Sequence, residues 1–245
     1  MVTKRLIPVI EIFGPTIQGE GMLIGRKTMF VRTAGCDFSC SWCDSAFTWD
    51  GSSKKDIRLM SAEEIWCELK QIGGNTFSHV TISGGNPALF PQIGELIHFL
   101  HNHNILVGIE TQGSRYQPWF LEVDDLTISP KPPSSNMKQD LEFLDDILKN
   151  LEEHNRLKHV NLKIVIFDEQ DFHYAKKIYQ KYSQIPFYLQ VGNPLITEQN
   201  DAVLAQQLLK RYNWLINMVM HDEVLKDIRV LPQLHTLVWG NKRGV

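Results

Sequence analysis

Apolar, β-branched runs alternate with helix-spaced apolar stripes along most of the chain. Residues 7–12, 29–33, 80–83, 106–110, 126–129, 162–167 and 187–191 predict strands, each short, mostly apolar and bounded by turn residues. Runs of that kind suit a parallel sheet covered on its faces. Helix patterns lie between them. Ser61-Ala62-Glu63-Glu64 has capping-box spacing, and Ile65, Leu69 and Ile72 follow on one face. Ile93, Leu96, Ile97 and Leu100 form a second stripe, and Leu141, Leu144, Ile147, Leu148 and Leu151 a third. Ala175, Ile178 and Tyr182 belong to a fourth, and Leu204, Leu208 and Leu215 to a fifth. Strand–helix alternation implies βαβ units, hence an α/β fold with a parallel sheet. With no internal repeat or long linker, the 245 residues are expected to form one domain, 1–245.

Polar clusters interrupt this pattern at the ends of four predicted strands. They are Ser83-Gly84-Gly85-Asn86-Pro87, Glu110-Thr111-Gln112-Gly113, Ser129-Pro130-Lys131 and Gln190-Val191-Gly192-Asn193. Any one of them reads equally well as a turn. In parallel α/β folds, however, active sites gather at the carboxyl ends of the strands, where all four would converge.

Composition changes the picture only by exclusion. A net charge of −3 gives no electrostatic reason to expect nucleic-acid binding. The short basic pairs Lys4-Arg5 and Lys242-Arg243 read as solvated surface. No apolar run approaches the ~20 residues that span a bilayer. The N-terminus lacks the apolar core of a signal peptide, so a cytoplasmic, membrane-free protein is expected.

The chemistry concentrates in Cys36-Asp37-Phe38-Ser39-Cys40-Ser41-Trp42-Cys43, which holds three of the four cysteines. In a reducing compartment such crowding argues for metal rather than disulfides. Closely spaced thiolates suit an iron–sulfur cluster. Three ligands on a four-iron cluster leave one iron open to a small molecule. A structural zinc site would need a fourth ligand, which His79 or His235 would have to provide. A redox pair of Cys40 and Cys43 would leave Cys36 unexplained. Cys67 falls within the capped helix pattern and reads as a small buried hydrophobe.

This C-x3-C-x2-C spacing after a strand, with Trp42 before the last cysteine, resembles the radical S-adenosylmethionine superfamily. Gly84-Gly85-Asn86-Pro87 resembles its glycine-rich motif, with Asn86 where that pattern has Glu. Glu11 to Gly21, Phe30 to Cys36, Cys43-Asp44-Ser45, Glu110 to Gly113, Ser129-Pro130-Lys131 and Gln233-Leu234-His235 together resemble 7-carboxy-7-deazaguanine synthases, above all those of Bacillus type. The resemblance implies an incomplete TIM-type barrel and a lyase. Its reaction converts 6-carboxy-5,6,7,8-tetrahydropterin to 7-carboxy-7-deazaguanine with loss of ammonia, on the route to queuosine in tRNA. It implies a [4Fe–4S] cluster, S-adenosylmethionine and Mg2+, a homodimer, and an external one-electron reductant of flavodoxin or ferredoxin type.

Residue by residue, the resemblance implies that Cys36, Cys40 and Cys43 bind three irons. Trp42, Gly85, Ser129 and Lys131 match the S-adenosylmethionine side, where the carbonyl of Asn86 could accept a hydrogen bond from the methionyl amino group. Ile17, Gln18 and Gly19 match the loop that holds the pterin. Arg32 matches a carboxylate-binding residue, for which a forked guanidinium is suited, and Ser83 a substrate-contacting hydroxyl. Ser45 matches a magnesium-binding hydroxyl. Glu110, Gln190, His235 and Val245 match further substrate contacts. Structural alternatives are an ion pair for Arg32, pairing with Lys131 for Glu110, and a core position for His235. Two other functions fit the cysteines: a glycyl-radical-enzyme activase, which would not need Gln18, Arg32 and Ser83, and a non-catalytic electron-transfer module with a fully ligated cluster.

Overall fold

The computed structural model describes residues 5–245, so Lys4 and the extreme N-terminus lie outside the described residues. Its frame is one nine-stranded sheet. In chain order the strands are β1 (Ile7–Ile17), β2 (Lys27–Thr33), β3 (Arg58–Met60), β4 (His79–Gly84), β5 (Leu106–Thr111), β6 (Asp125–Ile128), β7 (Val160–Ile166), β8 (Phe187–Val191) and β9 (Ile228–Leu231). Their order across the sheet is β3-β1-β2-β4-β5-β6-β7-β8-β9. From β2 through β9 every neighbouring pair is parallel, whereas β1 runs antiparallel to both β2 and β3. The edge strands β3 and β9 do not pair with each other, so the sheet stays open, as an incomplete barrel should.

The helices are α1 (Ala62–Gly73), α2 (Ile93–His101), α3 (Leu141–Glu153), α4 (Glu169–Lys181), α5 (Asp201–Met220) and α6 (Leu234–Trp239). The capping box on α1 forms: Ser61 accepts from the Glu64 backbone N–H, and the Glu64 carboxylate accepts from the Ser61 N–H at 2.7 Å. The other stripes bury as expected on α2, α3, α4 and α5. Two α1 residues depart from expectation. Ile72 is 45% exposed, and Cys67 is an exposed free thiol rather than a buried hydrophobe. The buried face of α1 is narrow, held by Ile65 and Leu69, and both of these residues point off it.

Strand alternation divides the sheet into two unlike faces. Ile82, Ile109, Leu126, Ile128, Leu162, Ile164 and Ile166 belong to the apolar core. Intervening residues point the other way and are polar yet buried: Thr28, His79, Thr81, Thr127, Asn161, Lys163 and Gln190. The sheet is therefore apolar on one face only, where the runs alone suggested two. Part of the polar face is tied up internally. The Thr28 hydroxyl lies 2.8 Å from His79 Nδ1 and 3.1 Å from the Thr81 hydroxyl, and Asn161 donates to Thr127 Oγ1 at 2.8 Å. The turn Gly21–Leu23 folds over this layer, and Met22 sulfur accepts a bond from Asn161.

His79 begins β4, at the end of the sheet away from the cysteine loop, which follows β2. Its place in the Thr28 layer removes it as a zinc ligand for that loop. Burial, with help from the nearby Arg26 charge and against that of Asp124, holds the ring pKa down to about 4. An unfolded chain would protonate His79 near its ordinary 6.5, so below that pH the unfolded state binds more protons. His79's contribution to stability is thus complete above about pH 6.5 and lost as pH falls toward 4. Urea midpoints of wild type and His79→Asn measured from pH 7 to pH 4 should converge as the pH falls. Parallel curves would assign the acid sensitivity to other groups.

Candidate active site

The cysteine loop leaves β2 at Thr33 and has no helix or strand of its own up to Ser45. Its shape is imposed by neighbouring strand ends. Gly35 N–H donates to Thr48 O at 2.7 Å, and Asn86 N–H donates to Gly35 O at 2.8 Å. Ser41 N–H donates to Ser135 O at 3.0 Å, and Ser41 Oγ to Ser134 O at 2.7 Å. A Cβ at Gly85 would overlap the Gly35 carbonyl, so only glycine lets the β4 end approach the loop this closely. Trp42 stacks on Phe167 at 4.8 Å and donates to Ser134 Oγ at 2.9 Å.

The three cysteines open on one cavity with Trp42, Ser45, Ser83, Gly85, Ser129 and Lys131. Burial pushes the Cys36 thiol up, and pushes that of Cys40 up to about 11 against the opposing charge of Lys131. A metal bound there would have to replace those protons, because the thiolate is the ligand. Their sulfurs accept further bonds: Cys36 from Phe38 N–H at 3.4 Å and from Gln112 Nε2 at 3.6 Å, Cys43 from Trp49 Nε1 at 3.4 Å. Donors of this kind suit thiolates that carry cluster charge. Lys131 lies 3.3 Å from Ser129 Oγ and 5.8 Å from the Trp42 ring centre. Cys67 does not line this cavity, so three thiols and a free coordination position fit the donor set among the described residues.

A second cavity adjoins the first and shares Glu20, Asp44, Ser45, Ser83, Gly84, Glu110 and Asn193 with it. It gathers Ile17, Gln18, Gly19, Arg32, His235 and Val245. Ile17 is the last residue of β1 rather than part of a loop. Phe13 and Phe47 flank the Arg32 guanidinium at 5.5 and 5.6 Å, and its Nε pairs with Glu11 at 2.6 Å. Arg32 therefore takes the expected ion pair and still lines the cavity. Arg243, expected as plain surface, reaches Glu11 at 2.6 Å and covers Phe47 at 3.8 Å.

A buried charge cluster joins the two cavities. Lys163, with a side chain 4% exposed, contacts Glu20 at 2.5 Å and Glu110 at 3.3 Å. Gln18 donates to Glu110 and Gln233 to Glu20, both at 3.0 Å. Burial alone would raise the Glu20 pKa, but the charges of Lys163 and His235 prevail and hold it far below the carboxylate range. Burial alone would lower the Lys163 pKa, and the two carboxylates reverse that and raise it. Glu110 thus meets Lys163, not Lys131. Gln190 is fully buried beside Glu20, where its amide helps hold the Glu20 carboxylate, and it lines neither cavity. His235 is half-buried, 4.0 Å from Glu20, and is a cavity residue rather than a core one. Ligand atoms of Glu20, Asp44 and His235 lie within 4.8 Å of one another, next to Ser45. Carboxylate and hydroxyl oxygens are the donors a hard cation such as Mg2+ takes.

Asn86 contradicts its expected role. It is fully buried and faces neither cavity. Its carbonyl accepts from Ala88 N–H at 3.1 Å and from Thr111 Oγ1 at 2.8 Å, so no lone pair is turned toward a cofactor. Sequence reasoning also missed Lys163, and it placed Glu20, Gln112 and Asn193 inside site motifs without giving them a role. Lys163 had a visible signal, a charge at an alternating position inside an apolar strand.

The geometry agrees with what the chain is similar to. The family model for the Radical SAM superfamily matches residues 30–186. The 7-carboxy-7-deazaguanine synthase of Bacillus subtilis (strain 168) is 62% identical over 98% of this chain and 98% of its own length. That of Bacillus cereus is 57% identical over 98% and 99%. Among solved structures, the crystal structure of QueE from Escherichia coli superposes with a TM-score of 0.69 at 21% identity, covering 94% of this chain and 95% of the other, which shows a shared fold. The chain belongs to the radical SAM superfamily and, within it, to the 7-carboxy-7-deazaguanine synthase family.

Proposed function

We propose that this chain is a radical S-adenosylmethionine lyase that converts 6-carboxy-5,6,7,8-tetrahydropterin to 7-carboxy-7-deazaguanine with loss of ammonia, in queuosine biosynthesis. One observation carries the reading: a cavity lined by three thiols and Lys163 shares Glu20 and Glu110 with a second cavity, which Arg32 borders. Cys36, Cys40 and Cys43 would hold the [4Fe–4S] cluster. When bound, cluster and S-adenosylmethionine supply one-electron chemistry and hydrogen abstraction.

The remaining work falls to the protein's own side chains. Gly85, Ser129, Lys131 and Trp42 form the wall on the S-adenosylmethionine side. Glu110, oriented by Lys163 and Gln18, faces the cavity as an acceptor for the N–H edge of a pterin. The terminal nitrogens of Arg32 are placed for a substrate carboxylate, since its Nε is already taken by Glu11. Ser83, on the boundary of both cavities, meets substrate and cofactor sides alike. Ser45 with Asp44, Glu20 and His235 offers the oxygen-rich corner for Mg2+. Gln190 contributes a buried amide beside Glu20, and Val245 lines the second cavity. The pterin-side residues Gln18, Arg32 and Ser83 share one cavity, which a glycyl-radical-enzyme activase would not require. A single domain over residues 1–245, a homodimeric state, a flavodoxin or ferredoxin reductant and a cytoplasmic location complete the proposal. No described helix is long and apolar enough to cross a membrane.

Anaerobically reconstituted protein given dithionite, S-adenosylmethionine, Mg2+ and the carboxy-tetrahydropterin should release 7-carboxy-7-deazaguanine. An intact cluster with no such product would reject the assignment. Arg32→Lys keeps the charge and loses the fork, so the KM for the pterin should rise on the order of tenfold with iron content unchanged. Equal KM values would place Arg32 outside the substrate contacts. Lys163→Met leaves two carboxylates buried without their cation. Product formation should fall on the order of 100-fold while the cluster's EPR signal persists. Wild-type turnover in that variant would show that the carboxylates orient themselves.

A further inference from the structure

We propose that Asp37 and Asn86 form a charge-matched clamp that sets the shape of the cluster loop, and that both act as positioning residues for the cluster. The inference rests on the reading of Cys36, Cys40 and Cys43 as its ligands. Asp37 follows Cys36 directly. Its Oδ1 accepts from Asn86 Nδ2 at 2.9 Å and from Gln112 Nε2 at 2.7 Å, and its Oδ2 accepts from Ser114 Oγ at 2.8 Å. Arg115 Nε stands 3.5 Å from the same carboxylate, whose side chain is 20% exposed. Donors from the ends of β4 and β5 therefore surround one carboxylate of an otherwise irregular loop.

Asn86 is specified by this arrangement. Its Nδ2 donates to Asp37 and, at 3.0 Å, to Ser114 Oγ, while its Oδ1 accepts from Thr111 and Ala88. Its backbone N–H also holds Gly35, the residue before Cys36. Gln112, bonded to Asp37, places the same amide nitrogen 3.6 Å from Cys36 sulfur. One connected set of bonds thus runs from two strand ends to a cluster ligand. A carboxylate at position 86 could keep the bonds from Thr111 and Ala88. Its second oxygen would then face the Asp37 carboxylate where the amide N–H now stands, so an acceptor would meet an acceptor and the bond to Asp37 would be lost. An apolar residue would leave the Asp37 carboxylate and the Thr111 hydroxyl short of partners. The amide departs from the superfamily's usual Glu because Asp37 demands a neutral donor there, not because of any contact to cofactor.

Three variants test this: Asn86→Asp, Asp37→Asn and the double exchange, which swaps the two groups and restores a donor facing a carboxylate. Each is reconstituted anaerobically and challenged with EDTA, and cluster loss is followed by its absorbance and by EPR of the dithionite-reduced state. Asn86→Asp should lose its cluster about tenfold faster than wild type, the weight of one hydrogen bond to a charged group. The double exchange should recover most of that loss together with the wild-type EPR line shape. A merely structural role would lower the melting temperature of the apoprotein and leave the cluster of the folded protein as durable as before. Wild-type cluster lifetime in Asn86→Asp, or a double exchange no better than that variant, would overturn the clamp. Should Asn86→Asp not fold, Asp37→Asn alone decides, because its side chain lies at the surface loop. Faster cluster loss supports the clamp and an unchanged lifetime refutes it. Failure of the underlying ligand reading is separable: Cys36→Ala would then keep the full iron content.

Discussion

Three thiols must be held around one small site by a stretch of chain that has no regular structure. Residues 34–45 contain neither helix nor strand. Their shape has to come from outside, because an unpaired loop would pay the full conformational entropy of ordering itself. The bonds that do this come from the ends of β4 and β5 and from residues 134 and 135, which follow β6. The site consequently depends on the register of the parallel sheet. Gly85 shows how tight that dependence is, since a single methyl group there would collide with the loop backbone.

Electrostatics divide the site into two unlike halves. Around the thiols, burial opposes ionisation and Lys131 is the cation that favours it. Where the two cavities meet, Lys163 sits between Glu20 and Glu110 with almost no access to water. Burying three charges is costly, and such a cluster persists only when each member is paired and hydrogen-bonded. Gln18 and Gln233 complete the pairing from either side. This junction keeps two carboxylates against one ammonium, which makes it an acceptor surface. The guanidinium of Arg32 at the border makes the opposite wall a donor surface. A ligand with an N–H edge at one end and a carboxylate at the other matches that polarity.

Much of the scaffold was legible in the sequence because burial on the helix-covered face imposes a recurring apolar signal. Seven strands and five helices follow from it. The missed elements lack that signal. β3 is three residues long with two of them exposed, β9 is only half-buried, and α6 has a single buried residue. β1 runs on past residue 12 through Gly14 and Pro15, where a register shift in its pairing with β2 accommodates them. At the site, the cysteine spacing and the strand-end clusters were readable because the chemistry is local. Lys163, Glu20 and Gln112 act through contacts between residues more than fifty positions apart, and no spacing along one chain encodes those. Asn86 misled for the same reason. Its motif neighbours pointed to the cofactor, whereas its partner is set by a loop that packs beneath it.

The two halves also share their supports, which limits how far either can move alone. Ser83, Gly84 and Glu110 line both cavities, and all three belong to β4 or β5. Ser83 and Gly85 are separated by about 7 Å of extended chain, two residues at strand rise. Gly84 between them has a φ of +132°, which the crowding by Thr33 leaves open only to glycine. The spacing between the cavity-facing hydroxyl of Ser83 and the backbone that braces the cysteine loop is therefore fixed by covalent geometry and one ladder of strand pairing, not by side-chain packing. Sites carried on such elements hold their geometry more tightly than sites on loops. For chemistry in which a reactive species must meet one carbon and nothing else, that rigidity at the end of β4 is the property the rest of the fold serves.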